Sequence, residues 1–244
     1  MIPTSVKEVQ KLGWDYIDII IFSGDAYIDH PSFGAAVIAR VLQSKGYRVA
    51  VVPQPNWQDD LRDFRKLGAP RLFFGVTAGA MDSMINHYTA AKRLRSDDAY
   101  TPDGKAGRRP DYAVTVYSKI IKALFPDVPL VIGGIEASLR RYAHYDYWSD
   151  SLMPSVLVSS GADLLVYGMG ERPIVAIADT LQNGGNLYEI PQVAYFQKGK
   201  SPIGDENTIQ LYSYEKVLND KKLFIKNFDV IEVQANKLSP KRIV

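Results

Sequence analysis

The chain contains no cysteine. Disulfides, thiolate zinc sites, cysteine-ligated iron–sulfur clusters and cysteine nucleophiles are therefore excluded for these 244 residues. Histidine is nearly as scarce: His30, His87 and His144 stand far apart and follow no zinc spacing, so no metal site is expected. An excess of charge of one sign is also missing. With 29 basic and 27 acidic residues the formal net charge is +2, which supplies no global electrostatic drive toward nucleic acid or a membrane surface. No apolar run approaches the roughly 20 residues of a spanning helix. The opening Met1-Ile-Pro-Thr lacks the basic and apolar regions of a signal peptide, so a cytoplasmic protein is expected.

What is present is enough apolar residue, 46% of the chain, for a sizeable core, arranged in a βα rhythm. Short β-branched or aromatic runs at 17–22, 48–52, 71–76, 129–132 and 164–167 read as five strands. Helical patterns fall at 33–45, 57–67, 81–94, 112–124 and 173–182, with Gly46, Gly68 and Gly184-Gly185 as stops. Between the third and fourth helices, residues 95–111 form a long polar loop rich in turn residues, of the kind that is functional or mobile. Strict alternation predicts a doubly wound, flavodoxin-like parallel five-stranded sheet over 1–185. A C-terminal appendage over 186–244 should hold an edge strand at 193–196, a helix at 215–225 and an extended tail. The last residues, Leu238-Ser-Pro-Lys-Arg-Ile-Val244, carry no helix stop and read as an interrupted chain.

The strand ends are unusual. Gly24-Asp25, Thr77-Ala-Gly79, Gly133-Gly134 and Gly168-Met-Gly170-Glu171 each place small residues where a parallel strand should end. Together they predict a floor on one edge of the sheet, where open α/β sheets bind ligands. Tight βα turns packed for their own sake are the plainer reading. Asp29, His30 and Ser32 precede the first helix, where an acceptor caps the helix or the free N–H groups receive an anion. The spacing of Gly24 and Gly34 is not the dinucleotide fingerprint. Residues 134–150 concentrate Glu136, Arg140, Arg141, His144, Asp146, Trp148 and Asp150 among tyrosines. Glu136 and Arg140 could form an ordinary i,i+4 ion pair, but the rest suit recognition or contact between domains.

The stretches Asp18-Ile-Ile-Ile-Phe-Ser-Gly-Asp-Ala-Tyr-Ile-Asp-His-Pro-Ser-Phe-Gly34, Asp97-Asp-Ala-Tyr-Thr-Pro-Asp-Gly-Lys-Ala-Gly-Arg-Arg-Pro-Asp111, the run from Gly133 to Asp150 and Tyr167-Gly-Met-Gly-Glu-Arg-Pro173 resemble the amino-terminal region of YgiQ-type radical SAM proteins. The order of elements is similar to the cobalamin-binding-like domain that precedes the barrel in related proteins. The resemblance implies a 4Fe-4S cluster and S-adenosylmethionine for the full-length family, held by a Cys-x-x-x-Cys-x-x-Cys motif in the following barrel. It makes cobalamin a candidate ligand of this domain, although Asp29-His-Pro-Ser-Phe-Gly34 does not have the Asp-x-His-x-x-Gly spacing of histidine-ligating carriers.

The expectation is thus an accessory domain that shapes the substrate or cofactor side of a barrel in cis, with no radical chemistry in the cysteine-free chain itself. A second reading is a self-contained small-molecule enzyme using Asp25, His30, Glu136 and His144. A third is a module that docks a protein or RNA, with Arg108, Arg109, Arg140 and Arg141 as its cations. Neither the substrate nor a set of nucleophile, base and orienting group is visible from spacing.

Overall fold

A computed structural model describes residues 1–27, 29–197 and 207–244. In chain order its helices are α1 (Val6–Lys11), α2 (Gly34–Ser44), α3 (Arg62–Arg65), α4 (Ser83–His87), α5 (Ala113–Leu124), α6 (Gly134–Leu139), α7 (Val156–Ser160), α8 (Glu171–Asn183), α9 (Tyr214–Asn219) and α10 (Lys221–Ala235). The strands are β1 (Ile19–Ser23), β2 (Val49–Pro53), β3 (Phe73–Thr77), β4 (Leu130–Gly133), β5 (His144–Asp146), β6 (Ser151–Met153), β7 (Leu164–Val166), β8 (Val193–Tyr195), β9 (Thr208–Ile209) and β10 (Arg242–Ile243).

The chain divides into two compact units, one made of Met1–Tyr142 with Ser155–Phe196 and the other of Ala143–Pro154 with Gln197–Val244. In the first, the sheet order is β2-β1-β3-β4-β7-β8. The neighbours from β2 to β7 pair in parallel, while β8 pairs antiparallel to β7. The expected count of five strands is therefore corrected to six, because 193–195 joins the sheet as an antiparallel edge instead of belonging to an appendage that starts at 186. Strands buried on both faces need continuous apolar sequence. Ile19 to Phe22 and Val49 to Val52 supply it and are almost fully buried. On one face α3, α5 and α7 bring Phe64, Tyr117, Ile121 and Leu157 against Ile20, Phe22, Phe74 and Ile132. On the other, α2 and α8 bring Ala35, Ala39, Leu42, Ile174 and Ile177 against Ile19, Ile21, Val131 and Val166.

Three helices depart from expectation. The segment 57–67 is helical only at Arg62–Arg65, because Asn56, Asp59 and Asp60 accept the amides of Gln58, Leu61 and Arg62 and hold turns that compete with a helix. The segment 81–94 stops at His87: Tyr88 is extended and bridges antiparallel to Leu94. Near the C-terminus the expected helix and extended tail are instead two helices. Asp220 breaks them apart and caps α10 through the amide of Lys222 at 2.9 Å. The second unit otherwise holds the β5–β6 hairpin and the parallel β9–β10 pair.

Candidate functional site

Because β1, β3, β4 and β7 are parallel, Gly24, Thr77, Gly134 and Gly168 all lie at or just past strand ends along the same carboxyl edge. That edge is closed on one side and open on the other. On the open side, the face covered by α2 and α8 is hollowed. Gly75 lies mid-strand between Ile21 and Val131 in the pairing register, and Gly133 lies beside Thr77. Side chains are missing at two neighbouring places of the sheet surface, and a crevice of about 390 Å³ opens there. Its walls are apolar, with Ile21, Ile38, Phe73, Val131, Val166 and Ile174 inside. Its mouth carries Ser32, Thr77, Gly79, Gly134, Gly168, Met169, Gly170 and Glu171. Neither α2 nor α8 has a side-chain cap, so their first-turn amides lack that acceptor where Gly34 and Gly170 meet the crevice.

The closed side is a strap formed by residues 95–111. Arg109, whose side chain is fully buried, donates from Nη1 to the carbonyl of Ala78 at 2.8 Å. Its Nη2 lies 3.2 Å from Asp25 Oδ1 and 3.3 Å from Asp98 Oδ2. Asp25 in turn accepts the Ala80 amide at 2.6 Å. Further bonds hold the strap: Ala26 N–H to the Tyr100 carbonyl at 2.9 Å, Gln54 to Thr101 at 2.7 Å and the Trp57 indole N–H to the Arg108 carbonyl at 3.1 Å. The polar loop is thus pinned rather than free. Burial raises the Asp25 carboxyl above its ordinary range, while Arg109 and the Ala80 amide oppose the shift. A Cβ on Gly24 would lie 2.1 Å from the Ala78 carbonyl oxygen, and one on Gly79 would lie 2.1 Å from Asp25 Oδ1. These two glycines are explained by close packing under the strap. Gly24 and Asp25 are buried, and Arg109 is no docking cation but the core of the strap.

Glu136 is also buried, and its carboxylate joins three segments. One oxygen accepts the Val114 amide at 2.9 Å; the other accepts the amide and hydroxyl of Ser83 at 2.9 and 2.6 Å. Burial, and secondarily Asp82, push its pKa up, against the pull of Ser83 and Arg140. Arg140 forms an ion pair with Asp82, which caps α4 through the amides of Met84 and Ile85. Arg141 donates to the Ser138 carbonyl at 2.7 Å, and its guanidinium lies over the rings of Tyr142 and Tyr167 at 4.8 and 5.2 Å.

The remaining expected residues scatter. Asp29 forms an exposed ion pair with Arg40 of α2. His30 is exposed and uses Nδ1 to accept the Ser32 amide at 3.2 Å. His144, Asp146, Trp148 and Asp150 fall in the second unit. Asp146 there accepts from the Ser149 amide at 2.8 Å, Trp148 packs edge-on against Tyr147 at 5.2 Å and Asp150 accepts from the Tyr145 hydroxyl. Asp25, His30 and Glu136 therefore form no single catalytic group, since two are buried in separate networks and one is exposed; His144 belongs to the second unit. Sequence reasoning missed Gly75, whose signal was a glycine inside an otherwise bulky strand. It also missed Asp98 as the partner of Arg109.

The first unit is thus an α/β domain with a mostly parallel sheet and a crevice at its carboxyl edge. The chain is a member of the Radical SAM N-terminal family, whose pattern it matches over residues 1–244. It is 60% identical to a UPF0313 protein of Porphyromonas gingivalis over 247 residues, covering 100% of this chain and 39% of that protein. It is 57% identical to the UPF0313 protein YgiQ of Escherichia coli over 192 residues, covering 79% of this chain and 26% of that one. The chain therefore spans about two fifths or less of these relatives and corresponds to their N-terminal domain. Among solved structures, the radical S-adenosylmethionine methyltransferase TsrM of Kitasatospora setae, with cobalamin and a [4Fe-4S] cluster bound, matches with a TM-score of 0.51. That match has 18% identity and covers 75% of this chain and 28% of TsrM, a likeness of fold. Among the described residues no helix is long and apolar enough to cross a membrane.

Proposed function

We propose that the chain is the accessory N-terminal module of a radical SAM protein, and that its carboxyl-edge crevice receives a ligand on the substrate or cofactor side of a barrel supplied in cis. The crevice hollowed at Gly75 and Gly133 carries this reading. In it, the first domain is flavodoxin-like and cobalamin-binding-like, with its boundary after β8 rather than at 185, and the remainder is an appendage leading to the barrel. In this reading the 4Fe-4S cluster and S-adenosylmethionine belong to that barrel, and this chain has no cysteine to hold the cluster.

The ligand we favour is a corrinoid, by likeness to the fold of the cobalamin-bound TsrM. The residues present fit part of one. A crevice of about 390 Å³ admits an apolar arm, and Gly134, Gly168 and Gly170 line it without side chains that would stand over the strand ends. No histidine lines the crevice, so the metal of such a ligand would receive no imidazole from it. Thr77, Gly133, Gly134, Gly168, Gly170 and Glu171 are the residues assigned to binding. Arg140, Arg141, His144, Asp146, Trp148 and Asp150 are assigned to contact with the barrel.

Equilibrium dialysis of the chain against hydroxocobalamin tests the reading, with Gly75→Val as the blocking variant. At Gly75 an added Cβ would be 3.4 Å from Ile21 Cγ1 and the backbone is not in the left-handed region, so valine fills the crevice without breaking the strand. Saturable binding that Gly75→Val abolishes is the expected result. Absence of saturable binding, or equal binding by both proteins, would count against a corrinoid in this crevice.

A further inference from the structure

The second compact unit buries little apolar side chain among its described residues. Among its described residues the one buried apolar side chain is Val217, while Tyr145, Leu218, Ile225, Phe228 and Val233 are each about half exposed. Its buried polar groups are Asp146, Asn227 and Gln234. Asn227 and Gln234 project from the inner face of α10 and bind backbone. Asn227 accepts the Tyr212 amide and donates to its carbonyl, both at 2.9 Å, and Gln234 accepts the Lys241 amide at 3.0 Å. Leu223, Phe224, Val230 and Ile231 share that inner face by helical spacing. Ile225 and Phe228, spaced i,i+3, lie on the opposite face with exposures of 58% and 55%.

A helix with apolar residues on both faces is one that is covered on both. Inside this unit α10 is covered on one. Single exposed apolar side chains are ordinary, but an outward Ile–Phe pair on a 15-residue helix, in a unit whose described residues include a single buried apolar side chain, is not accounted for by those residues. An exposed apolar patch of that kind marks an interaction site.

Resting on the reading of the chain as an N-terminal module, we infer that the outer face of α10, centred on Ile225 and Phe228, is the seat of the polypeptide that the longer relatives carry in addition. The segment is available in cis: the Porphyromonas gingivalis relative matches all of this chain with only 39% of its own length. A covalently joined partner needs little affinity per contact, because linkage supplies a high effective concentration. That suits a patch built on one helix.

Hydrogen exchange tests this on the chain alone and on the chain joined to the unmatched remainder of the Porphyromonas gingivalis relative. The amides of α10 should exchange about tenfold or more slowly in the joined protein, with β1, β3 and β4 unchanged. Ile225→Asp with Phe228→Asp in the joined protein should return α10 to the rate seen in the chain alone. Equal α10 rates in the two proteins, with β1 protected in both, would overturn the inference. So would a slowing in the chain alone that grows with its concentration and disappears in the double variant, because the face would then belong to a second copy. The corrinoid titration at Gly75 reads a different unit, so either proposal can fail while the other stands.

Discussion

The Glu136 carboxylate accepts the backbone N–H of Val114 at 2.9 Å, and so supplies the first turn of α5 with an acceptor from a different element. The residue before that helix, Tyr112, is in the left-handed region and offers no side-chain cap. The second oxygen serves Ser83 in the first turn of α4. One buried anion thus sits at the starts of two helices, where their dipoles favour negative charge.

Glu136→Gln keeps one acceptor and turns an NH₂ group toward backbone donors. A loss of about 2–4 kcal/mol in urea unfolding is expected. Glu136→Asp, too short to reach both helices, should lose a comparable amount. A loss under about 0.5 kcal/mol for both would mean that water replaces the carboxylate and that the strut is dispensable.

The parallel strands were legible because strands buried on both faces require uninterrupted apolar runs, which 17–22, 48–52 and 129–132 supply. The partner of Arg109 was not. Asp25 is 84 positions before Arg109, and only the fold brings them within 3.2 Å. Glu136 illustrates the same limit. Its spacing to Arg140 suggested a helical ion pair, yet the side chain turns inward to backbone amides on α4 and α5. The glycines divide in a way no local pattern shows: Gly24 and Gly79 are small because other groups press on them, whereas a Cβ at Gly75 would meet only Ile21, at ordinary contact distance, on the wall of the crevice.

Arg109→Met removes the one cation between two buried carboxylates. Asp25 and Asp98 would face each other without it, and a loss of about 3–5 kcal/mol is expected. Arg109→Lys should recover only part, since a single ammonium cannot reach Ala78, Asp25 and Asp98 with the guanidinium fork. Limited proteolysis checks the location: cleavage should appear within 95–111 before it appears elsewhere. Full stability in Arg109→Met would show that the strap is held by its backbone bonds alone.

Asp25 should leave a signature in the pH dependence of stability. Its carboxyl is raised above the ordinary value of 3.8 by burial. The folded state therefore holds this proton more tightly than the unfolded state, and the contribution of Asp25 to stability falls as pH rises from the ordinary value through the raised one. Asp25→Asn has no such titration. The stability gap between wild type and Asp25→Asn should be larger near about pH 4 than near about pH 7. A gap that widens toward neutral pH would reverse the sign and show that Arg109 outweighs burial.

Gly79 lines the crevice and packs on the strap at the same time, so it tests whether the two are one structure. Its φ of +109° is a region that side chains avoid, and a Cβ there would meet Asp25 Oδ1 at 2.1 Å. Asp25 cannot retreat freely, because the Ala80 amide and Arg109 hold it. Gly79→Ala should cost about 3 kcal/mol or more, of which about 1–3 kcal/mol is backbone strain and the rest overlap with the carboxylate. In an Asp25→Ala background the overlap is gone and only the strain remains. A double-mutant cycle by urea unfolding should therefore give a coupling energy of about 1 kcal/mol or more between positions 25 and 79. Additive losses would mean that the turn moves away from Asp25 at little cost, and that the strap does not set the wall of the crevice.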